Sequence, residues 1–168
     1  GLTTHALLAS PRIERVDTIE IERTMVEAAR HFHPRNARAY DDPRSRIHYE
    51  DAKTFFAAQG ARYDVIVSEP SNPWVSGVST LFSEEFYGQV KRHLKDDGVL
   101  VQWIHAYELD IGLLSSIFKA LGKHFPDYAV YAWSAGDRGV GGEVAPHRVQ
   151  RDPRQGQASW AGTLCSPR

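Results

Sequence analysis

YDVIVS, residues 63–68, followed by EPSNPWVSG, residues 69–77, is the stretch on which the fold turns. The first six residues are rich in β-branched side chains and too few for an independent helix, so they predict a buried strand. Pro70 and Pro73 then stiffen the chain and Gly77 turns it, which predicts a loop. A carboxylate, Glu69, stands at the junction. In an open α/β sheet, ligands gather at the carboxyl ends of the strands, so chemistry is expected at this junction.

Upstream, residues 2–9 read as the end of a helix, 16–20 (VDTIE) as a strand and 22–32 as a helix whose apolar face carries Met25, Val26, Ala29 and Phe32. Residues 33–44, with two prolines, predict an irregular connection. A strand over 46–50 and a helix over 52–59, closed by Gly60, lead into the central strand. Downstream, Ser83 opens a helix with Phe86, Tyr87, Val90 and Leu94 at helical spacing. Asp97 and Gly98 predict a turn, 99–104 a strand, 111–125 a helix and 128–133 a last strand. This alternation predicts an α/β, Rossmann-like, doubly wound and mostly parallel sheet with helices on both faces. Residues 1–135 are expected to form that domain. Residues 136–168 lack an apolar period and read as a disordered or non-native tail.

With 168 residues and 42% apolar side chains, the chain suffices for one core without disulfides. Its 20 basic and 21 acidic residues nearly cancel, which argues against nucleic acid or an anionic membrane as the main partner. A single cysteine, Cys165, excludes an internal disulfide framework and a cysteine-based zinc site, and suggests a reducing, cytoplasmic setting. No apolar run approaches the ~18 residues of a membrane span. The start at Gly1, without a methionine, reads as a piece of something longer.

Three carboxylates, Glu20, Asp51 and Glu69, fall at or just past the ends of consecutive predicted strands, and a parallel sheet would gather them at one crevice. Glu20 offers two acceptor oxygens to the hydroxyls of a ribose, with Glu22 competing for that role; a solvated surface acid is the plain alternative. Asp51 can accept from an adenine amine or cap the helix that starts at Ala52, and the two roles can coexist. Glu69 can bind an ammonium group and take its proton, or simply face water from a turn. Beside it, Asn72 adds amide donors, and Trp74 can wall a pocket or plug the core. His105, at a strand end, is the best-placed histidine for a pocket. His31 and His33 do not share a helical face and suit a helix terminus better than a metal. No serine has an acyl-transfer context.

The ordered blocks VDTIEIE, IHYEDAKTFF, YDVIVSEPSNP and LFSEEFYGQVKRHLKDDGVLVQW resemble the spermidine synthase, or aminopropyltransferase, family across residues 1–130. The resemblance implies transfer of an aminopropyl group from decarboxylated S-adenosylmethionine to a small-molecule amine such as putrescine, with no metal. It implies that Glu20 is the ribose-binding acid, that Asp51, with Ala52, is the adenine-binding acid of a block usually written G-D-G, and that Glu69 stands at the catalytic aspartate of DSSDP. Asn72 replaces that motif's second aspartate and loses a negative charge. Trp74 and His105 are the remaining candidates for the amine side. The glycine-rich loop that would precede the first helix is not in the sequence. SNPWVSG and VQWIHAYELD also resemble synthase-like domains fused to membrane segments, so such a fusion, or association with further copies, is a second expectation about partners. Two other functions compete: a small-molecule methyltransferase using intact S-adenosylmethionine in the same crevice, and a nucleoside-binding or structural module without turnover.

Overall fold

The computed structural model describes residues 1–71, 73–105, 110–134 and 140–145. They divide into two units: residues 1–62 with 88–93, and residues 63–87 with those from 94 onward.

In the first unit the order is α1 (Leu2–Leu7), β1 (Val16–Ile19), α2 (Arg23–Ala29), a 3-10 turn (Arg30–Phe32), α3 (Ala37–Asp41), β2 (Ser45–His48) and α4 (Ala52–Ala58). β1 and β2 pair in parallel from Val16 opposite Ser45 to Ile19 opposite His48. Thr4 of α1 and Thr18 of β1 share a hydroxyl hydrogen bond of 2.7 Å. Asp17, almost wholly covered, sits between Arg15 Nε and His48 Nε2, each at 2.9 Å. Arg44 is a clamp: Nη1 donates to the carbonyls of Ser10 and Ile13, Nη2 to that of Leu8, and Nε and Nη2 to the two oxygens of Asp42. A guanidinium presents five donors in a fixed fork, so one side chain satisfies the carbonyls where α1 ends. The segment expected to be irregular, 33–44, contains α3. Five residues are too few to show a helical period, and what anchors its start is tertiary: buried Asn36 donates from Nδ2 to the Ala29 carbonyl at 2.7 Å.

The second unit runs β3 (Tyr63–Ser68), a 3-10 turn (Val78–Phe82), the start of α5 (Glu84–Arg92), β4 (Leu94–His105), α6 (Ile111–Gly122), β5 (Ala129–Ser134) and β6 (Val140–Ala145). The strand order is β3-β4-β6-β5, with β3 and β4 parallel and β6 antiparallel to both its neighbours. Phe82, Ile104 and Ile117 are buried together, with Val78, Leu113, Leu114 and Phe118 packed against them. Asp110 caps α6 by accepting the Leu113 N–H at 2.9 Å.

Two expectations are corrected here. Asp97-Gly98 is not a turn between elements but an irregularity within β4, where the register against β3 shifts between Tyr63 and Val65. A Cβ on Gly98 would meet the Tyr63 carbonyl and Lys95 backbone at 3.0 Å, so the glycine permits a close backbone approach at this irregularity. Within the stretch expected to be a tail, the described residues 140–145 form β6, the strand between β4 and β5. Gly141 and Gly142 lower its β-propensity, and its partners supply the order that its composition does not announce. Residues 146–168, including Cys165, lie outside the described residues.

Candidate functional site

In the first unit, β1 and β2 are parallel and in register, so their carboxyl ends share one edge, and Glu20 and Asp51 follow those ends. The Glu20 N–H continues the ladder to the His48 carbonyl at 2.9 Å, and its Oε1 accepts the Glu22 N–H at 3.0 Å. Glu20 also lines a cleft of about 140 Å³ with Thr18, Met25, Val26 and Ile47. Glu22 is the N-cap of α2, accepting the Thr24 N–H at 3.1 Å. Its carboxylate thus answers a backbone donor, the ordinary work of a residue in this position. Asp51 is the N-cap of α4; its Oδ1 accepts the N–H groups of Lys53 and Thr54, both at 3.0 Å, and Ala52 is the first helical residue.

In the second unit, Glu69 follows β3, and His105 closes β4, its parallel neighbour. Glu69, Trp103 and His105 line a cleft of about 220 Å³. Side chains alternate along a strand, so Gln102 and Ile104 are buried while Trp103 and His105 turn the other way and are half-buried. The Trp103 indole N–H donates to His105 Nδ1 at 3.4 Å, with the rings edge to face at 5.9 Å. Beneath this wall, fully buried Gln102 donates from Nε2 to the Ser68 carbonyl at 3.3 Å and to the Trp103 carbonyl at 3.0 Å. The carbonyl just before Glu69 is therefore held by a side chain from the neighbouring strand.

Trp74 is 45% exposed, and the indole in the cleft is Trp103 instead. Asn72 lies outside the described residues. Sequence reasoning passed over Trp103 and Gln102 because both sit inside an apolar run. The available signals were the two-residue spacing of Trp103 and His105, which puts them on one strand face, and a lone amide within the run. Among the described residues no group of three or more His, Cys, Asp or Glu side chains is arranged to hold a metal ion, and no helix is long and apolar enough to cross a membrane.

A carboxylate and an imidazole beside an indole can bind a small cation and move its proton, and a pair of acids at the carboxyl edge of parallel strands suits the hydroxyls and amine of a nucleoside. The sequence profile of the Spermine/spermidine synthase domain matches residues 1–135. The polyamine aminopropyltransferase of Alkaliphilus oremlandii is 36% identical over 133 residues, 78% of this chain and 46% of that protein. That of Clostridium perfringens is 32% identical over 133 residues, 78% of this chain and 47% of that protein. The chain thus spans about half the length of these curated relatives. The Leptospira biflexa polyamine aminopropyltransferase, 27% identical, aligns over 92% of this chain, more than the share residues 1–135 represent. Thermotoga maritima spermidine synthase superposes with a TM-score of 0.71 at 25% identity over 86% of this chain and 50% of that one. A spermidine synthase in complex with the transition state analogue AdoDATO gives 0.75 at 25% identity over 86% and 51%. Human methyltransferase-like protein 13 in complex with SAH, at 0.61 and 20% identity, shares the fold, which is Rossmann-like α/β as the sequence predicts.

Proposed function

The chain belongs to the spermine/spermidine synthase domain family, and from that premise we propose that it transfers an aminopropyl group from decarboxylated S-adenosylmethionine to a small primary amine in the cytoplasm. The observation that carries the reading is Glu69, at the carboxyl end of β3, in a cleft with Trp103 and His105. Glu69 accepts a proton from the bound ammonium. The freed lone pair attacks the carbon next to the sulfonium, the carbon–sulfur bond breaks, and methylthioadenosine leaves as a neutral thioether. The proton passes from Glu69 to solvent. Glu20 accepts from the ribose hydroxyls through the oxygen that Glu22 does not engage, and Asp51 accepts from the adenine amine while capping α4. Both residues supply acceptors only, which suits a ligand face made of hydroxyls and an exocyclic amine.

Product analysis tests this. The full chain supplied with the decarboxylated cofactor and a panel of amines should release methylthioadenosine and an aminopropylated amine. Release of S-adenosylhomocysteine from intact S-adenosylmethionine, with no methylthioadenosine, would make it a methyltransferase. Neither product would leave a binding module.

A further inference from the structure

The ladder between β1 and β2 is extended past their carboxyl ends by the Glu20 N–H, which donates to the His48 carbonyl at 2.9 Å. Beyond it one segment runs through Ile21 and Glu22 into α2, and the other through Tyr49, Glu50 and Asp51 into α4. A side-chain contact joins the two again: the guanidinium of Arg23, the first residue of α2, lies over the Tyr49 ring at 4.8 Å from its centroid. Arg23 adjoins Glu22, whose N–H holds Glu20 Oε1, and Tyr49 stands two residues before Asp51. Each half of the contact therefore sits on a loop that carries one of the two acids. Tyr49 is 48% exposed and Arg23 is exposed, so neither side chain fills the core. A cation over an exposed ring adds little to folding; what it fixes is where one loop stands relative to the other.

Adenosine is a stiff ligand, with its ribose hydroxyls at one end and its adenine amine at the other. Two acceptors engage it together only when their separation matches that span, and acceptors already held there lose no freedom when the ligand arrives. We infer that Arg23 and Tyr49 are positioning residues: their contact holds the loop of Glu20 and the loop of Asp51 at the separation that lets one nucleoside reach both carboxylates. This rests on the nucleoside-binding reading above, in which Glu20 takes the ribose hydroxyls and Asp51 the adenine amine. Arg23 and Tyr49 act through those two acids and need not touch the ligand.

Adenosine and 2′,3′-dideoxyadenosine differ only in the two hydroxyls assigned to Glu20. The ratio of their affinities for the full chain, read by calorimetry, therefore measures what Glu20 adds once the adenine is anchored. The unaltered chain should favour adenosine by at least about tenfold, the scale of hydrogen bonds to a charged group. Tyr49→Leu and Arg23→Gln should each narrow that ratio by about two- to fivefold, the scale of an exposed cation over a ring. Only the second changes the charge near Glu20, so a like effect in both traces to the contact itself. Tyr49→Phe keeps the ring and should keep the ratio, and the chain carrying both Tyr49→Leu and Arg23→Gln should be no worse than either alone. A merely structural role would move the two affinities together and leave their ratio where it was. With circular dichroism intact, a ratio unchanged in either variant, a loss in Tyr49→Phe as large as in Tyr49→Leu, or additive losses in the double variant would overturn the inference and leave the nucleoside reading standing. No preference for adenosine in the unaltered chain, or binding of neither nucleoside, overturns the nucleoside reading and the inference with it.

Discussion

The acids of the first unit and the acid of the second are placed by different means. Glu22 and Asp51 are fastened by the backbone N–H groups of the helices they cap, and Glu20 holds the N–H of Glu22. Their geometry is local and is set within three residues of each carboxylate. Glu69 caps no helix. It follows a strand whose last carbonyl is gripped by Gln102, 34 residues away in sequence, and it shares its cleft with two side chains of that same neighbouring strand. Acids in the first unit therefore combine a capping contact with any ligand role, whereas in the second unit Gln102 makes the strand contact and the proposed proton transfer falls to Glu69. The two functions can be separated by mutation in the second unit and are fused in the first.

The sharpest attempt to break this contrast is Glu69→Gln. It should lower turnover by about 100-fold or more, the usual scale for a lost proton acceptor, while the chain stays folded by circular dichroism. A large loss of stability in urea denaturation would show that Glu69 is structural after all. Next in size is Gln102→Leu, which leaves the Ser68 carbonyl without its buried donor and should destabilise by about 1–3 kcal/mol, read from the same denaturation curves. In the first unit, Asp51→Ala should cost about 1 kcal/mol and also weaken methylthioadenosine binding, while Asp51→Asn, still a good cap, should keep the stability and lose only affinity. If Asp51→Asn binds the nucleoside as well as the unaltered chain, the carboxylate is a cap alone.

The smallest effect lies at the Arg44 clamp. Hydrogen bonds from the Arg44 guanidinium, then from its backbone N–H, hold the Asp42 carboxyl down to about 2 from an ordinary 3.8. A folded-state value below the unfolded one stabilises the fold above the unfolded value, and that contribution is lost as pH falls through the folded one. Stability should therefore decline between about pH 4 and pH 2. Asp42→Asn should flatten that part of a urea-midpoint profile; an unchanged slope would assign the loss to other carboxylates.

Much of this was legible in the sequence where structure is local. YDVIVS coincides with β3, although its side chains are half-buried or exposed rather than buried, and the helix that begins at Ala52 is expected with Asp51 before it, because short apolar runs and capping residues declare themselves within a few positions. Glu20, Asp51 and Glu69 each follow a strand as the sequence predicts, and the parallel register of β1 and β2 puts the first two on one edge. What was not legible depends on distant partners. α3 is fixed by an Asn36 contact to Ala29, the Asp97-Gly98 pair falls within β4 where the register against β3 shifts, and β6 is ordered by strands on both sides. Trp103 was hidden for the same reason: its contact with His105 needs a strand to put both on one face, and its place in the cleft needs β3 alongside.

β6 also sets a schedule. It is the last of the described strands to be synthesised, yet it is flanked on both sides, and β5 joins the sheet only through it. On a ribosome adding about 5–20 residues each second, β5 emerges before the strand it must dock against. Until residue 145 clears the exit tunnel, β4 and β5 each hold out an open ladder to any passing strand. Nascent chains halted between β5 and β6 are where this protein should be most exposed to chaperones, and most prone to pair with the wrong neighbour.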